Sequence, residues 1–343
     1  MADTDRPSAE AGPAPLVSVV IPTYRRWPLI AESVQSVLDQ TFRDFELIVI
    51  DDDSPDGTAE HLREKFPSVR VLDQNPPRPA SPPAASGPTA VRTGLGRRGA
   101  ARNQGIREAR GRFVAFLDDD DLYEPWHLAQ FAEARRAHPD HQVFASAGWL
   151  WDPESGRKQL VGLFDPKTIA KTSLLGNAFP QVVLVASRSA LLDVGGYPEE
   201  AVYDGSEDWY LLMRLVNRHP VCRLPRPSVR IRLHPGRSMN DPTCMIESRE
   251  AVTKVVTEEG LLGQPLDEES RRLMQAATHR FAAGHLYVAG DMKAARARLR
   301  QVHQTLGLRR GVPWTAKLWL ETWMGPAGSA AARRLKQQLL WRR

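Results

Sequence analysis

The 343-residue chain is long enough for one large domain with an appendage or for two domains, and its 42% hydrophobic and 25% charged residues are typical of a globular protein. The net charge of +5 is unevenly distributed, because the stretch from Lys293 to Arg343 holds twelve Lys or Arg and one acidic residue, which leaves −6 for the rest of the chain. An acidic body argues against a nucleic-acid-binding protein, which would need a basic surface.

The two cysteines, Cys222 and Cys244, stand far apart and match no metal-type spacing, so a disulfide framework is not expected and a reducing cytoplasm is. Residues 1–14 lack the apolar core of a secretory signal and are interpreted as a disordered leader. No apolar run approaches the about 18 residues of a membrane-spanning helix. We therefore expect a cytoplasmic protein that at most lies on the inner face of a membrane.

The N-terminal part alternates short apolar runs with helical patterns. Strands are predicted at Leu16–Ile21, which Pro22 would end, at Glu46–Ile50 and at Val69–Leu72, with a helix after each of the first two. This order predicts an α/β fold with a mostly parallel sheet, in which ligands bind at the carboxyl ends of the strands.

The segment 76–90 is too rich in Pro, Ser and Ala to pack, so a flexible insertion is predicted over 76–98. The elements predicted after it are a helix at Gly99–Arg110, a strand at Arg112–Leu117, a helix at Trp126–Ala137, a strand-like segment at Gln181–Ser187 and a helix at Trp209–Val216.

From about Met245 the chain becomes Ala-, Arg- and Leu-rich, and a helical hairpin is predicted around Gly290-Asp291. It is similar to a single tetratricopeptide unit, but one unit cannot form a solenoid, so we interpret it as a packing appendage. The basic tail carries Trp314, Trp319, Trp323 and Trp341. Such a tail either packs on the core or contacts an anionic membrane surface.

Two acidic clusters, IVIDDDSPDGT and VAFLDDDDLYEP, each follow a predicted buried strand. One such cluster alone is more often a solvated turn. Two clusters at matching strand ends converge on one crevice, where their carboxylates repel one another unless a cation neutralises them.

These clusters belong to an ordered series of motifs: VSVVIPTYRR, DDDSPDGT, GAARNQGIREARG, FLDDDD, VGGYPE and SEDWYLLMRL. The series resembles glycosyltransferase family 2, which has the GT-A fold, over about Val17–Asn240. The resemblance implies a GT-A domain at 15–244 and a helical, basic region at 245–343. It also implies an enzyme that transfers a sugar, with inversion, from a nucleotide-sugar donor, with UDP or dTDP expected. The acceptor would be a glycan or lipid-linked hydroxyl in polysaccharide, lipopolysaccharide or other glycoconjugate synthesis.

The resemblance also implies roles for individual residues on the donor side. Pro22, Thr23 and Tyr24 would line the base pocket, and Arg26 would lie near the base edge or the phosphates. Asp52, supported by Asp51, would accept a hydrogen bond from a pyrimidine N3–H. Arg102 would face the donor across the crevice, and Asp118 would hold the ribose.

The same resemblance implies a metal and a general base. Asp120 of the Asp118-x-Asp120 signature would ligate Mg²⁺ or Mn²⁺, and His234, in Arg232-x-His234, would complete its shell or touch the diphosphate. Asp208 of the Glu207-Asp208 pair would be the general base. The alternative for this pair is that both acids simply favour a helix N-terminus.

Two other functions remain open from the sequence. Gly94-x-Gly96-x-x-Gly99 spells the dinucleotide fingerprint of an NAD-dependent oxidoreductase, although a Pro/Ser/Ala stretch precedes it instead of a buried strand. A non-catalytic module that keeps the sugar-nucleotide pocket is the second alternative. Intact acids at positions 118, 120 and 208 favour an enzyme.

Overall fold

The computed structural model of the protein describes residues 13–74, 98–234 and 241–323. Most of the predicted leader and all but one residue of the predicted insertion lie outside the described residues, as do Gly94, Gly96 and the tail beyond residue 323.

The first half of the chain alternates strands and helices. Its elements are β1 (Val17–Thr23), α1 (Leu29–Leu38), β2 (Phe45–Asp51), α2 (Thr58–Lys65), β3 (Arg70–Asp73), α3 (Arg98–Glu108), β4 (Phe113–Phe116), β5 (Leu122–Tyr123) and α4 (His127–Ala137).

The second half begins with β6 (Val143–Ala145), β7 (Gly148–Trp151), β8 (Lys158–Val161), α5 (Ile169–Ser173), β9 (Leu184–Ser187), α6 (Arg188–Asp193), α7 (Glu207–Arg218), β10 (Val221–Arg223) and β11 (Val229–Arg232). Short 3₁₀ turns cover Gln181–Val183 and Ala201–Tyr203. The helices α8 (Pro242–Glu259), α9 (Glu268–Ala289), α10 (Met292–Leu306) and α11 (Leu308–Trp323) follow.

The main sheet has seven strands in the order β10-β6-β9-β4-β1-β2-β3, and β9 alone of these runs antiparallel to its neighbours. A second sheet has the order β5-β11-β7-β8. β1 and β4 are buried throughout, as expected for central strands covered on both faces. The predicted α/β class with a mostly parallel sheet is confirmed.

The sheet brings the carboxyl ends of β1, β2 and β4 together at one edge. β1 and β2 run in register to the pair Thr23 and Asp51, and Asp52 N–H donates to Thr23 O at 2.9 Å beyond it. Both acidic clusters therefore start at the same edge of the sheet, from the two strands that flank β1, and the sequence predicted that they converge there.

The prediction that Pro22 ends the first strand was wrong. Pro22 lies inside β1, opposite Ile50 of β2. Its backbone faces the β4 side, as that of Val20 does, but the pairing with β4 stops at Val20. The proline therefore removes no ladder hydrogen bond, and the strand continues past it.

The segment Gln181–Ser187 is only partly a strand. Its first three residues form a 3₁₀ turn and the strand begins at Leu184. The turn directs the Gln181 side chain toward Asp118, where Gln181 Nε2 donates to Asp118 Oδ1 at 3.3 Å.

The predicted helical hairpin is formed by α9 and α10. Gly290 ends α9 in the left-handed conformation, and Asp291 Oδ1 accepts from Ala294 N–H to cap α10. α8 and α9 also pack on the α/β part of the chain, because Val252 and Met274 share an apolar cluster with Trp209. The proposed division at residue 244 remains a prediction. None of the helices in the described ranges is both long enough and apolar enough to cross a bilayer.

Gly105 of α3 provides a test of this packing. A Cβ at Gly105 would lie 2.3 Å from Val20 Cγ1 of β1, whereas a Cβ at Gly284 of α9 would meet nothing within 4 Å. We expect Gly105→Ala to lower the free energy of unfolding by about 1–3 kcal/mol through overpacking. The matched variant Gly284→Ala should raise it by up to about 1 kcal/mol, because alanine is the better helix former. Urea denaturation measures both, and a Gly105→Ala protein as stable as Gly284→Ala would contradict this packing.

Candidate active site

The residues predicted to line the base pocket lie where β1 and β2 end. Pro22 and Thr23 are buried in the last positions of β1, and Tyr24 follows, half-buried. Arg25 and Asp53 have positive φ angles of 55° and 61°, and Arg25 N–H donates to Ser54 Oγ at 2.9 Å. This hydrogen bond joins the segment that follows β1 to the segment that follows β2, just beyond the sheet edge.

Asp51 and Asp52 are both buried at this edge. Asp51 Oδ2 accepts from Ser54 N–H at 2.8 Å, while its Oδ1 is buried with no hydrogen-bond partner among the residues that the structure describes. Burial raises the pKa of Asp51, since the Ser54 hydrogen bonds offset only part of the desolvation. An open buried acceptor of this kind suits an N–H group of a ligand.

The second cluster, Asp118–Asp121, follows β4 and meets the end of β1. Thr23 Oγ1 donates to Asp119 Oδ2 at 2.8 Å, and the Arg26 guanidinium lies 3.4 Å from Asp119 and 3.6 Å from Asp120. Burial and the neighbouring Asp120 raise the pKa of Asp119 to about 7. Thr23 and Arg26 therefore contact the middle of the acidic motif. Their assignment to the base and phosphates stays a prediction.

The two predicted metal ligands are brought together: His234 Nε2 lies 2.9 Å from Asp120 Oδ2. Arg232, two residues earlier in the chain, fixes this arrangement. Its backbone N–H donates to Asp121 Oδ1 and its Nε to Asp120 O, at 2.9 and 3.0 Å, and its Nη2 donates to Glu32 Oε2 at 2.6 Å. The sequence placed Arg232 in a motif but gave it no role.

These residues fit a divalent cation that binds jointly with a diphosphate. Within the described ranges, no group of three or more His, Cys, Asp or Glu side chains could hold a metal by itself. Asp120 and His234 offer two ligands on one side, and Mg²⁺ or Mn²⁺ ions commonly combine one or two protein ligands with substrate phosphates.

Arg102 of α3 connects the two halves of the site. Its guanidinium, with 3% of the side chain exposed, lies 2.9 Å from Asp118 Oδ1 and 2.9 Å from Glu207 Oε1, and stands over the Tyr197 ring at 5.4 Å. Burial would lower the pKa of Arg102, but the two carboxylates outweigh it and raise that pKa. The donor-facing role predicted for Arg102 remains a prediction.

Glu207 and Asp208 occupy the first turn of α7, which begins earlier than the sequence indicated. Burial would raise the pKa of Glu207, but Arg98 and Arg102 outweigh it and lower that pKa. Burial and the charge of Glu207 raise the pKa of Asp208 to about 7. Glu207 is therefore the ionised partner of Arg102, and Asp208 is the carboxyl that exchanges a proton near neutrality.

Asp208 is half-buried, and its two oxygens have different partners. Oδ1 accepts from the backbone N–H of Trp209 at 2.7 Å, and Oδ2 accepts from Asn177 Nδ2 at 2.8 Å. This position agrees both with the interpretation that the two acids favour a helix N-terminus and with the general-base interpretation. No contact between Asp208 and the Asp120–His234 pair occurs in the described structure.

Three contacts of the site were missed from the sequence. Gln181 bridges Tyr197 and Asp118, since Tyr197 Oη donates to Gln181 Oε1 at 2.9 Å. Asn177 Nδ2 donates to Asp208 Oδ2. Arg232, the last residue of β11, donates its Nε to Asp120 O. Only Arg232 lay in a recognisable motif. Gln181 and Asn177 come from an irregular segment with no pattern that could have indicated them.

The comparisons with known proteins agree with this geometry. The family model "Glycosyl transferase family 2" matches residues 18–78 and 90–160. The Escherichia coli UDP-Glc:alpha-D-GlcNAc-diphosphoundecaprenol beta-1,3-glucosyltransferase WfgD is 35% identical over 211 residues, which cover 61% of this chain and 73% of that protein. An uncharacterized glycosyltransferase of Rickettsia bellii is 28% identical over 169 residues, or 49% of this chain and 20% of the relative.

Solved structures show the same fold. TarS 1–349 of S. aureus covers 91% of this chain and 87% of its own, with a TM-score of 0.56 at 18% identity. Its complex with UDP-GlcNAc covers 89% of this chain and 90% of its own, with a TM-score of 0.55 at 17% identity.

The fold is thus that of the GT-A glycosyltransferases, with helices added at the C-terminus. On the match to WfgD and to the family model, the chain belongs to glycosyltransferase family 2. It spans 20–33% of the length of the three Rickettsia relatives, which are longer proteins. Gly99, the described residue of the alternative dinucleotide fingerprint, lies in the first turn of α3 against Pro198 O, and the last strand described before it, β3, ends at Asp73. The fold and the family therefore contradict the alternative interpretation as an NAD-dependent oxidoreductase.

The acid pair predicts a titration that can be measured directly. We expect the Asp208 carboxyl to protonate at about pH 7 and Glu207 to stay ionised there, since Arg98 and Arg102 hold its charge. Carbon-13 NMR of labelled carboxyls, assigned with Asp208→Asn and Glu207→Gln, follows both groups. If Glu207 took up its proton at a higher pH than Asp208, Glu207 and not Asp208 would be the carboxyl that titrates near neutrality.

Proposed function

We propose that this protein is an inverting glycosyltransferase that moves a sugar from a nucleotide-diphosphate sugar to an acceptor hydroxyl. The observation that carries the proposal is the buried Arg102, which joins Asp118 of the acidic motif to Glu207 beside Asp208 at 2.9 Å on each side. One guanidinium thereby fixes the distance between a donor-binding acid and a candidate base, as a displacement reaction requires.

The donor side is proposed to bind a uridine or thymidine diphosphate sugar. Tyr24 offers a half-buried ring for the base, and Asp51 Oδ1 offers a buried acceptor with no partner among the described residues. A pyrimidine N3–H is the group that such an acceptor would recognise. The open oxygen belongs to Asp51, so we assign the N3–H contact to Asp51 in preference to Asp52, to which the sequence assigned it.

On the acceptor side, Asp208 would take the proton from the acceptor hydroxyl as that oxygen attacks the anomeric carbon. The bond between the anomeric carbon and the diphosphate oxygen breaks as the new bond forms, and its electron pair leaves with the nucleotide diphosphate. A single displacement with one base inverts the anomeric centre. The ionised Glu207 supports this role, because its charge raises the proton affinity of Asp208.

A divalent cation is proposed at Asp120 and His234, where it would neutralise the charge that develops on the departing diphosphate. The Arg26 guanidinium, 3.6 Å from Asp120, would add positive charge beside the oxygens of the same diphosphate. Asp118 and Gln181 would hold the donor sugar or ribose on the other side of the motif.

The acceptor is proposed to be a glycan or lipid-linked sugar in glycoconjugate synthesis. This rests on the names of relatives: WfgD acts on a diphosphoundecaprenol-linked sugar, and a Campylobacter jejuni relative, 33% identical over 111 residues, is a GalNAc(5)-diNAcBac-PP-undecaprenol beta-1,3-glucosyltransferase. Acceptors of this kind lie at a membrane surface. The basic residues and Trp341 near the C-terminus that could contact such a surface lie outside the described residues.

The decisive experiment is a panel of nucleotide sugars scored by donor-dependent release of nucleotide. We expect release from a UDP- or dTDP-sugar, and calorimetry should show UDP binding more tightly than GDP. UDP should also bind more tightly than CDP, because cytosine N3 carries no hydrogen that Asp51 Oδ1 could accept. Asp51→Asn should reduce this preference by about tenfold or less, as loss of one buried hydrogen bond. Tighter GDP binding in the wild type would remove the pocket assignment.

We expect turnover to need Mg²⁺ or Mn²⁺. Chelation should abolish sugar transfer and added cation should restore it, while Asp120→Asn should weaken Mn²⁺ binding in the presence of UDP by about 10-fold or more in calorimetry. Asp140→Asn, in an exposed turn, is the matched control. Full turnover in chelator would exclude a catalytic cation.

We expect Asp208→Asn to lower turnover about 10²–10⁴-fold, the usual contribution of a positioned general base, with donor affinity nearly unchanged. The amide keeps the size of the side chain but cannot accept the proton, and the donor contacts lie on the other side of Arg102. Turnover at saturating donor and donor affinity by calorimetry separate the two effects. A loss below about tenfold would transfer the role of base to Glu207, and a collapse of donor affinity would place Asp208 in the donor site.

A further inference from the structure

The helix turn that carries the candidate base packs against the C-terminal helices through Trp209. Trp209, next to Asp208, is buried in an apolar cluster with Val252 of α8 and Met274 of α9. Its ring nitrogen Nε1 donates to Ser173 O at 2.6 Å. The first turn of α7 is therefore packed between the catalytic part of the chain and the helices that follow it.

Arg249 of α8 extends into this contact. Its side chain is buried, and its guanidinium carbon lies 3.6 Å from the centroid of the Trp209 ring and 4.8 Å from that of Phe281. Arg249 Nη2 donates to Leu175 O at 2.7 Å, and the structure, as far as it is described, pairs Arg249 with no carboxylate. Aromatic faces and one carbonyl hold this buried cation in place of an ion pair.

The segment that accepts the Arg249 hydrogen bond also holds Asp208. Asn177, two residues after Leu175, donates Nδ2 to Asp208 Oδ2 at 2.8 Å. Gly176 between them lies against the guanidinium, since a Cβ there would be 3.6 Å from Arg249 Nη2. The contacts form a closed ring of Asp208, Asn177, Leu175, Arg249 and Trp209.

We propose that Arg249 and Asn177 are positioning residues for Asp208, so that the C-terminal helices complete the active site. Arg249 would fix the segment 175–177 on the Trp209 ring, and the Asn177 amide would fix the orientation of the Asp208 carboxylate toward the acceptor hydroxyl. This inference rests on the proposed role of Asp208 as the base. Neither residue touches the reacting atoms in this scheme.

Charge supports the same arrangement. The charged or titratable groups that face Asp208 are Glu207 on its own helix, Arg102 on α3, Asp118 after β4, Tyr197 after α6 and Arg249 on α8. Arg280 and His285 of α9 also interact electrostatically with Arg249. Burial lowers the pKa of Arg249 to about 9, so it is a cation at neutral pH, and the attraction between it and Asp208 favours the carboxylate form. Loss of this cation, or of the Asn177 donor, should therefore raise the pKa of Asp208.

The test compares Arg249→Met, Arg249→Lys and Asn177→Ala with the wild type. Sugar transfer is measured against pH, donor affinity by calorimetry, and the Asp208 carboxyl titration by carbon-13 NMR. For Arg249→Met and Asn177→Ala we expect kcat to fall about tenfold and the acid limb of the kcat profile to move up by about half to one pH unit. Donor affinity should change less than about threefold, since the donor lies beyond Arg102. Arg249→Lys, which keeps the charge, should shift the limb less than Arg249→Met.

The control is Arg272→Met on α9, whose exposed side chain pairs with Glu268 away from the site and should leave the profile unchanged. An unchanged Asp208 titration in both Arg249→Met and Asn177→Ala would overturn the proposal, even if kcat fell together with thermal stability. Asn177 is exposed, so its variant carries the test if Arg249→Met fails to fold. If the wild type transfers no sugar from any donor, the proposed function fails, while the NMR titration still decides whether these residues act on Asp208.

Discussion

The site depends on one buried cation, the guanidinium of Arg102. A charge removed from water in this way is stable only if carboxylates and hydrogen bonds surround it, and Asp118 and Glu207 supply them from two distant parts of the chain. Because the same group satisfies both acids, the loop after β4 and the first turn of α7 cannot move apart without leaving a buried charge unpaired. The same contact makes the pKa values of the two carboxyls differ. Glu207 is held as an anion, and Asp208, beside it, holds its proton more tightly.

Much of the fold could be predicted because its signals are local. Apolar runs of four to seven residues, the helical spacing of α1 and the acids that follow β2 and β4 are visible along the chain, and the rule that ligands meet parallel strands at their carboxyl ends placed them together. The ordered motifs then indicated the family. Pro22, which has no N–H, was misjudged as the end of the strand. Whether that N–H matters depends on where the neighbouring strand stops, which the local sequence does not contain.

The side chains that we propose to position the candidate base could not be predicted. Asn177 precedes a 3₁₀ turn in an irregular stretch, and Arg249 is one of many arginines in an Arg-rich region. Their importance arises from packing between segments separated by tens of residues. The C-terminal helices accordingly looked like an appendage in the sequence, whereas in the structure Val252 and Met274 are part of the packing around Trp209.

The unequal lengths of the central strand pairings have a consequence for the shape of the crevice. β1 and β2 stay paired as far as Thr23 and Asp51, but β4 leaves β1 at Val20. At about 3.3 Å per residue, roughly 10 Å at the end of β1 therefore has no strand on the side of β4. The acidic loop that follows β4 borders this stretch instead, because Thr23 Oγ1 donates to Asp119 Oδ2. Pro22 lies inside the stretch and presents no N–H that would need a partner strand there. A longer β4 would put ladder hydrogen bonds where the acidic loop now meets β1. The length of one strand therefore decides, as much as the identity of the acids does, whether their side chains reach β1.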